Sequence, residues 1–337
     1  MPFEYNPPMP QPLKIIGLGR YLPQRVVPSA EVEALCGLPA GWIERRSGVR
    51  ERHWATTETS SYMGAQAARE AVAEAGLALS DIDLILNASG TPEQAIPDGG
   101  PLVQRQLGLG SSGIACLSVH ATCLSFLAAL DLAANLLAMQ RYQRILIVTS
   151  EIGSVGINFK EPESASLIGD AAAAAVVVRT PSGEAAGLLA ARLETYGDGA
   201  DFTAIRGAGS RRPPNHPDTR PEDNLFHMDG RQVLRMALTY SGPFLERLRP
   251  GLSRGLGSIQ LVVPHQPSLV GLRAMQTFGW PAERIVVTLD QLGNCVAASL
   301  PATLYEAVRQ GRLQRGDEVL LVGTGAGLSI GGVILTY

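Results

Sequence analysis

Two apolar patterns alternate along this chain. Near-continuous apolar runs at 13–18, 82–88, 113–119, 145–149 and 171–178 read as strands covered on both faces. Between them, apolar residues return at helical spacing over 29–36, 61–75, 100–107 and 123–139. Ser29 and Ser61 stand where an N-cap is expected, and Gly76 stops the second helix. The rhythm then repeats. Strands are predicted over 186–191, 259–263, 285–287, 319–322 and 328–336, with helices over 229–248, 267–278 and 295–309.

The two halves follow one order. From Cys123 a helix leads through Gln140-Arg141-Tyr142-Gln143-Arg144 into the strand Ile145-Leu146-Ile147-Val148. From Asn294 a helix leads through a second polar turn into Val319-Leu320-Leu321-Val322. This is an internal symmetry of two α/β halves. It divides the chain into a Pro-rich arm over 1–12, a first half over 13–180 and a second half over 181–337. Alternating strands and helices predict sheets covered by helices.

Composition narrows the function. Only 18% of residues are charged, against about 25% in an average domain. Either the core is large, or surface is hidden against another subunit. The 28 basic and 31 acidic residues give a net charge of −3, without the basic excess of a nucleic-acid binder. No apolar run is long enough to span a membrane, and the start lacks a secretory pattern. Four cysteines without zinc spacing suit a reducing cytoplasm, so a cytoplasmic protein without a metal is expected. No Gly-x-Gly-x-x-Gly follows the first strand, and no Walker sequence is present.

Candidate chemistry lies at element ends. Cys123 falls between a strand and a helix, where the helix dipole would lower its thiol pKa. The same position suits a buried structural cysteine. His265 ends the strand Val262-Val263-Pro264, at the strand end where open α/β sheets place ligands. It serves equally as a base, an oxyanion donor or a satisfied loop histidine. Asn294 precedes a helix and would cap it, unless partners give it another role. Asp170, after Gly169, reads as a turn or cap. Trp42, Arg45, Arg46, Arg50 and Arg52 cluster in one short segment. An indole with guanidinium groups suits a nucleotide base and its phosphates, and equally a solvated loop.

Together these segments resemble β-ketoacyl-acyl carrier protein synthase III of the thiolase superfamily, over about the whole chain after the arm. The resemblance rests on His-Ala-Thr-Cys123, Pro-His265-Gln-Pro-Ser, Gly-Asn294-Cys-Val-Ala-Ala-Ser and the segment from Trp42 to Arg52. It implies a thiolase-like α/β fold, layered α-β-α-β-α, and a catalytic Cys123, His265 and Asn294. It also implies that Trp42 and Arg46 contact the adenine end of coenzyme A. Gly230 and Arg235 match the helix lining the substrate tunnel, Ile96 an acyl-pocket position, and Ala326 the Gly-rich loop with its oxyanion-hole amide. The implied partners are an acyl-CoA, malonyl-CoA or acyl carrier protein, and a second copy of the chain. No cofactor is implied beyond coenzyme A thioesters as substrates.

The chain also departs from the family pattern. Val270 replaces the arginine that helps dock the carrier protein, although Arg273 lies one turn on. Leu124-Ser125 replaces the small pair after the nucleophile, and Thr324 an aromatic in the Gly-rich loop. These changes point to a specialised relative in secondary metabolism. The implied reaction is decarboxylative condensation of an acyl-cysteine with a malonyl thioester. The alternatives are acyl transfer to an alcohol or amine, and condensation of two acyl-CoAs without loss of carbon dioxide. A non-catalytic acyl-CoA-binding subunit is the rival from another class. A papain-type hydrolase would need a Cys-Gly-Ser-Cys-Trp context, which is absent.

Overall fold

The computed structural model describes residues 10–337, so most of the arm expected over 1–12 lies outside the described residues. Of that arm, Gln11 bridges Leu188. The apolar runs of the first half form β1 (Lys14–Tyr21), β2 (Leu84–Asn87), β3 (Ala115–Ser118), β4 (Arg144–Glu151) and β5 (Ala171–Val178). They make one sheet in the order β1-β5-β4-β2-β3. The second half supplies β6 (Gly187–Thr195), β7 (Leu261–Pro264), β8 (Glu318–Gly325) and β9 (Ser329–Thr336), ordered β7-β8-β9-β6.

The two sheets repeat one pairing scheme. In the first, β2 runs parallel to β3 and β4, while β5 runs antiparallel to β4 and β1. In the second, β7 runs parallel to β8, and β9 runs antiparallel to β8 and β6. A parallel bridge between Val262 and Ile285 stands where β3 stands in the first sheet.

The helices that cover these sheets or border the site are α1 (Ser29–Cys36), α2 (Trp42–Ser47), α3 (Ser60–Glu74), α4 (Gly99–Gln106), α5 (Ser125–Ala138), α6 (Gly230–Leu248), α7 (Leu269–Ala274) and α8 (Ser299–Arg309). Strand periodicity sorts the core into layers. Leu84 and Leu86 face inward with Ile145 and Ile147, and meet Val319 and Leu321 of the other sheet across α5 and α8. Ile85, Leu146 and Val148 face outward and are covered by Met63 and Ala67 of α3 and Val103 of α4. On the far side, Val262, Leu320 and Ile334 are covered by Phe244 and Leu248 of α6. The result is α3/α4, sheet, α5/α8, sheet, α6/α7: the expected five layers. A core shared by both faces of both sheets goes with the low charge fraction.

Several element ends differ from expectation. The cap of α3 is Thr59, whose hydroxyl accepts from the Tyr62 N–H at 3.2 Å; Ser61 lies inside the helix. Pro28 precedes α1, and the Ser29 hydroxyl donates to the Val49 carbonyl at 2.6 Å. The helix expected over 267–278 begins only at Leu269, capped by Ser268, and tightens to 3-10 geometry at Met275–Phe278. The strand expected over 285–287 is reduced to the single bridge at Ile285. Short elements have no counterpart in the expected pattern: α2, and the ladder between Val26–Pro28 and Glu51–His53.

Candidate active site

Cys123 lies in a 3-10 turn, Thr122–Leu124, rather than in the helix expected from 123; α5 begins at Ser125. The turn is tightly held. Thr122 takes a left-handed φ of 49°, costly for a branched residue. The Ser125 hydroxyl accepts from the Ala121 N–H at 2.9 Å and donates to the Thr122 carbonyl at 2.7 Å. The second half repeats this device. Val296 has φ 48°, and the Cys295 N–H donates to Ser299 Oγ at 2.9 Å. In that register Ala297 stands where Cys123 stands, and Cys295 falls at the place of Ala121, so only the first turn carries a thiol at the nucleophile position.

The surrounding main chain offers hydrogen bonds to the Cys123 sulfur from Ala326 and from Cys123 itself. Burial outweighs them, and the Glu151 charge adds to it, so the thiol is pushed up to about 11. The expectation of a thiol activated by its helix terminus is therefore corrected: removal from water dominates. Below that value, thiolate increases tenfold per pH unit. Alkylation of Cys123 by iodoacetamide, followed at peptide level, is expected to accelerate from pH 7 to 10 with a logarithmic slope near one. A plateau reached before pH 10 would show an ordinary or activated thiol.

His265 follows β7, with its N–H donating to the Val322 carbonyl at 2.8 Å. Its ring is buried, and among the described residues it has no cation or carboxylate partner and Nδ1 has no hydrogen-bond partner. Burial lowers its pKa to about 4, so the imidazole is neutral at pH 7. Gly323 makes room for it: a Cβ there would lie 2.6 Å from His265 Cβ and 3.3 Å from Leu124 Cδ2. Two residues on, a Cβ at Gly325 would lie 2.9 Å from Thr122 Oγ1. The histidine and the Cys123 turn thus press on the same face of β8.

Asn294 is fixed from both sides. Its N–H donates to the Leu167 carbonyl at 2.7 Å, and its carbonyl accepts from the Gly169 N–H at 3.1 Å. Gly293 permits this approach with φ 66°, where a Cβ would lie 2.4 Å from the Leu167 carbonyl oxygen. Asn294 Oδ1 accepts from the Val296 N–H at 3.0 Å, which occupies the acceptor and leaves the NH2 group unspent. Gly90 links the two turns, since a Cβ there would meet both Val296 and Thr122. The Cys123 turn thus meets His265 across β8, and meets the turn that follows Asn294 at Gly90.

Behind them lie two buried carboxyls. Asp170 accepts from the Ala55 N–H, the Ser154 N–H and the Ser154 hydroxyl, so it ties two loops together rather than capping a helix. Glu151 has no place among the candidates read from the sequence. It ends β4, accepts from the Gly90 and Thr91 N–H groups and the Thr91 hydroxyl, and is pushed up to about 8 by burial. The polar triplet Thr149-Ser150-Glu151 closing an apolar strand is its only signal.

The arginine cluster resolves into different roles. Arg52 is fully buried, donating to Ser29 Oγ at 3.0 Å and the Ser166 carbonyl at 2.7 Å, with its pKa lowered to about 10 by burial. Arg50 pairs with Asp290 at 2.8 Å. Neither is a free phosphate ligand, which corrects the expectation of four arginines at one site. Arg45 and Arg46 remain exposed, and the Arg46 guanidinium stands 6.0 Å from the Trp42 ring centroid. Trp42 packs in one cluster with Met228 and Leu269, where α6 and α7 begin. Gly230 opens α6, behind the cap Asp229, and Arg235 is exposed on the same helix. Ile96 is 87% exposed, so it lines no acyl pocket within its own chain.

Paired sheets with helices in five layers, and a Cys123 turn set against a twin with alanine at the matching place, define a thiolase-fold protein. Residues 117–197 match the family model 3-Oxoacyl-[acyl-carrier-protein (ACP)] synthase III, and 254–337 match its C-terminal model. The β-ketoacyl-[acyl-carrier-protein] synthase III of Aquifex aeolicus is 31% identical over 96% of this chain and 99% of its own. The enzyme so named in Rhizorhabdus wittichii is 34% identical over 96% and 98%. The crystal structure of the Aquifex aeolicus protein superposes with a TM-score of 0.85, covering 96% of this chain and 100% of that one. Structures of Xanthomonas campestris OleA, 20% identical with TM-score 0.84 over 97% and 99%, share the fold. The chain belongs to the β-ketoacyl-acyl-carrier-protein synthase III family.

Proposed function

We propose that the chain condenses a Cys123-bound acyl group with a malonyl thioester and releases carbon dioxide. Supporting this, the Cys123 turn adjoins both a neutral His265, whose Nδ1 is unpaired among the described residues, and the turn that follows Asn294, whose NH2 group is uncommitted. Cys123 attacks an acyl-CoA thioester, and its proton leaves on the departing coenzyme A sulfur. The amides of Cys123 and Ala326 support the oxyanion. The malonyl thioester then loses carbon dioxide, and the bond's electron pair moves to the α-carbon. The NH2 of Asn294 and the N–H of neutral His265 donate to the enolate oxygen. A charged imidazolium is not needed, which suits a histidine that burial keeps neutral. The carbanion attacks the acyl carbonyl, the C–S bond breaks, and the thiolate takes up a proton. No cofactor enters beyond the thioesters. Intact-protein mass spectrometry with an acyl-CoA panel, followed by a malonyl-CoA or malonyl-carrier-protein chase, tests this.

Trp42 and Arg46 are read as the adenine contact. Trp42→Ala and Arg46→Ala are each expected to raise KM for acyl-CoA about tenfold with kcat held, from loss of stacking and charge. Reaction with the matching N-acetylcysteamine thioester should not change. An equal effect on both substrates would remove the contact from the nucleotide end.

The working unit is read as a homodimer in the cytoplasm. Supporting this, β3 is an edge strand with Leu117 47% exposed, Ile96 is exposed beyond it, and all four cysteines are free. An edge strand and bare apolar side chains suit cover by a second copy. Light scattering is expected to give twice the chain mass; a strict monomer would contradict it. The substitutions at Val270 and Thr324 favour a role in secondary metabolism over fatty-acid initiation.

A further inference from the structure

A cavity opens beside His265 between α6, α7 and the end of β8. Its enclosed part measures about 80 Å3, room for a short alkyl group only, and it opens to solvent at its mouth. Its α6 wall is Leu234, Ala237, Leu238 and Ser241, at helical spacing along one face. Leu238 is left 52% exposed on that face. Gly271 and Ala274 keep the α7 wall short, and Phe278 and Trp280 close the end.

Among the described residues the wall carries no charged side chain. Its polar groups belong to Ser241, His265, Thr324 and the Trp280 indole; Ser241 already donates to the Ala237 carbonyl at 2.6 Å, and Trp280 Nε1 to the Leu252 carbonyl at 3.0 Å. An amide-bearing pantetheine arm would leave polar groups unmatched there, which is costly. An alkyl chain would not. Cys123 is absent from the wall, whereas His265, Gly323 and Thr324 belong to it. The occupant is thus carried by the substrate that His265 handles, not by the acyl group on sulfur. A plain malonyl unit has no apolar part to place there.

We infer that the second substrate is an α-alkylmalonyl thioester whose alkyl chain lies in this cavity. This rests on the decarboxylative reading above. Loss of carbon dioxide leaves the electron pair on the substituted α-carbon. That carbon bonds to the acyl carbonyl, the Cys123 thioester C–S bond breaks, and the released thiolate takes up one proton. The product is an α-alkyl-β-ketoacyl thioester.

The test is calorimetric titration of Cys123→Ala with two sulfonate analogues, sulfoacetyl-CoA and its α-propyl derivative. These keep the negative charge but cannot lose carbon dioxide. The propyl compound is expected to bind at least tenfold tighter. Adding Ala237→Phe on one wall, or Ala274→Leu on the other, should bring the two affinities within about twofold. Acyl adduct formation by each single variant, with Cys123 intact, shows that it folds. Equal affinities in Cys123→Ala, or a preference that survives both fillings, would overturn the inference. If the preference holds but the wild-type enzyme releases no carbon dioxide from malonyl or propylmalonyl thioesters, the condensation reading fails and the cavity assignment stands.

Discussion

Cys123→Ala is expected to abolish the acyl adduct after incubation with any acyl-CoA that loads the wild-type protein. The effect should be complete, because the twin turn of the second half offers Ala297 at the matching place. The remaining cysteines are poor substitutes. Cys295 is buried, its thiol is raised by burial, and it donates to the Leu292 carbonyl at 3.3 Å. Cys116 is pushed up to about 11 by burial in the edge strand, and Cys36 is raised as well. Intact-protein mass spectrometry decides the matter. A persistent thioester adduct in the variant would remove Cys123 from the nucleophile role.

The second large effect separates the two half-reactions. His265→Ala and Asn294→Ala are each expected to leave acyl loading within about threefold of wild type. Carbon dioxide release from the malonyl thioester should fall by about 10²–10³-fold, the usual loss on removing one donor to a developing oxyanion. The basis is local. Oδ1 of Asn294 is occupied by the Val296 N–H, so its NH2 group is the free part. His265 is neutral and its ring faces a cavity rather than a carboxylate. Normal carbon dioxide release in either variant would remove that residue from decarboxylation. Loss of acyl loading in His265→Ala would make the imidazole a base for the thiol instead.

Much of the layering was legible because strands covered on both faces must be apolar throughout. The runs around Ile85, Ile147 and Val176 could be nothing else. The internal symmetry was legible for the same reason: each half repeats helix, polar turn, apolar strand. Element ends were less so. The segment between Ser268 and Gly279 is helical but tightens to 3-10 geometry from Met275, and neither that change nor the loss of all but one bridge from 285–287 has a local signature.

The site was legible by residue type and by resemblance, but its electrostatics were not. A helix terminus can be read from sequence, whereas the burial that raises Cys123 depends on neighbours remote in the chain. Arg50 and Arg52 look alike in sequence. One pairs with Asp290, 240 residues away, and the other donates to Ser166 inside the core. Glu151 was hidden because its partners, Gly90 and Thr91, lie about 60 residues upstream. The cavity beside His265 was invisible as well, since its walls come from α6, α7 and β8 together.

The most direct measurement is a single-turnover chase. Protein acylated at Cys123 is isolated and mixed with a donor thioester bearing a free malonyl carboxylate, labelled with ¹³C at that carboxylate. Carbon dioxide and product are then quantified together. One carbon dioxide per acyl group lost from Cys123, with a β-ketoacyl thioester as product, is the expected result. Discharge of Cys123 onto an alcohol or amine, or onto a donor that keeps all its carbons, with no carbon dioxide formed, would contradict decarboxylative condensation.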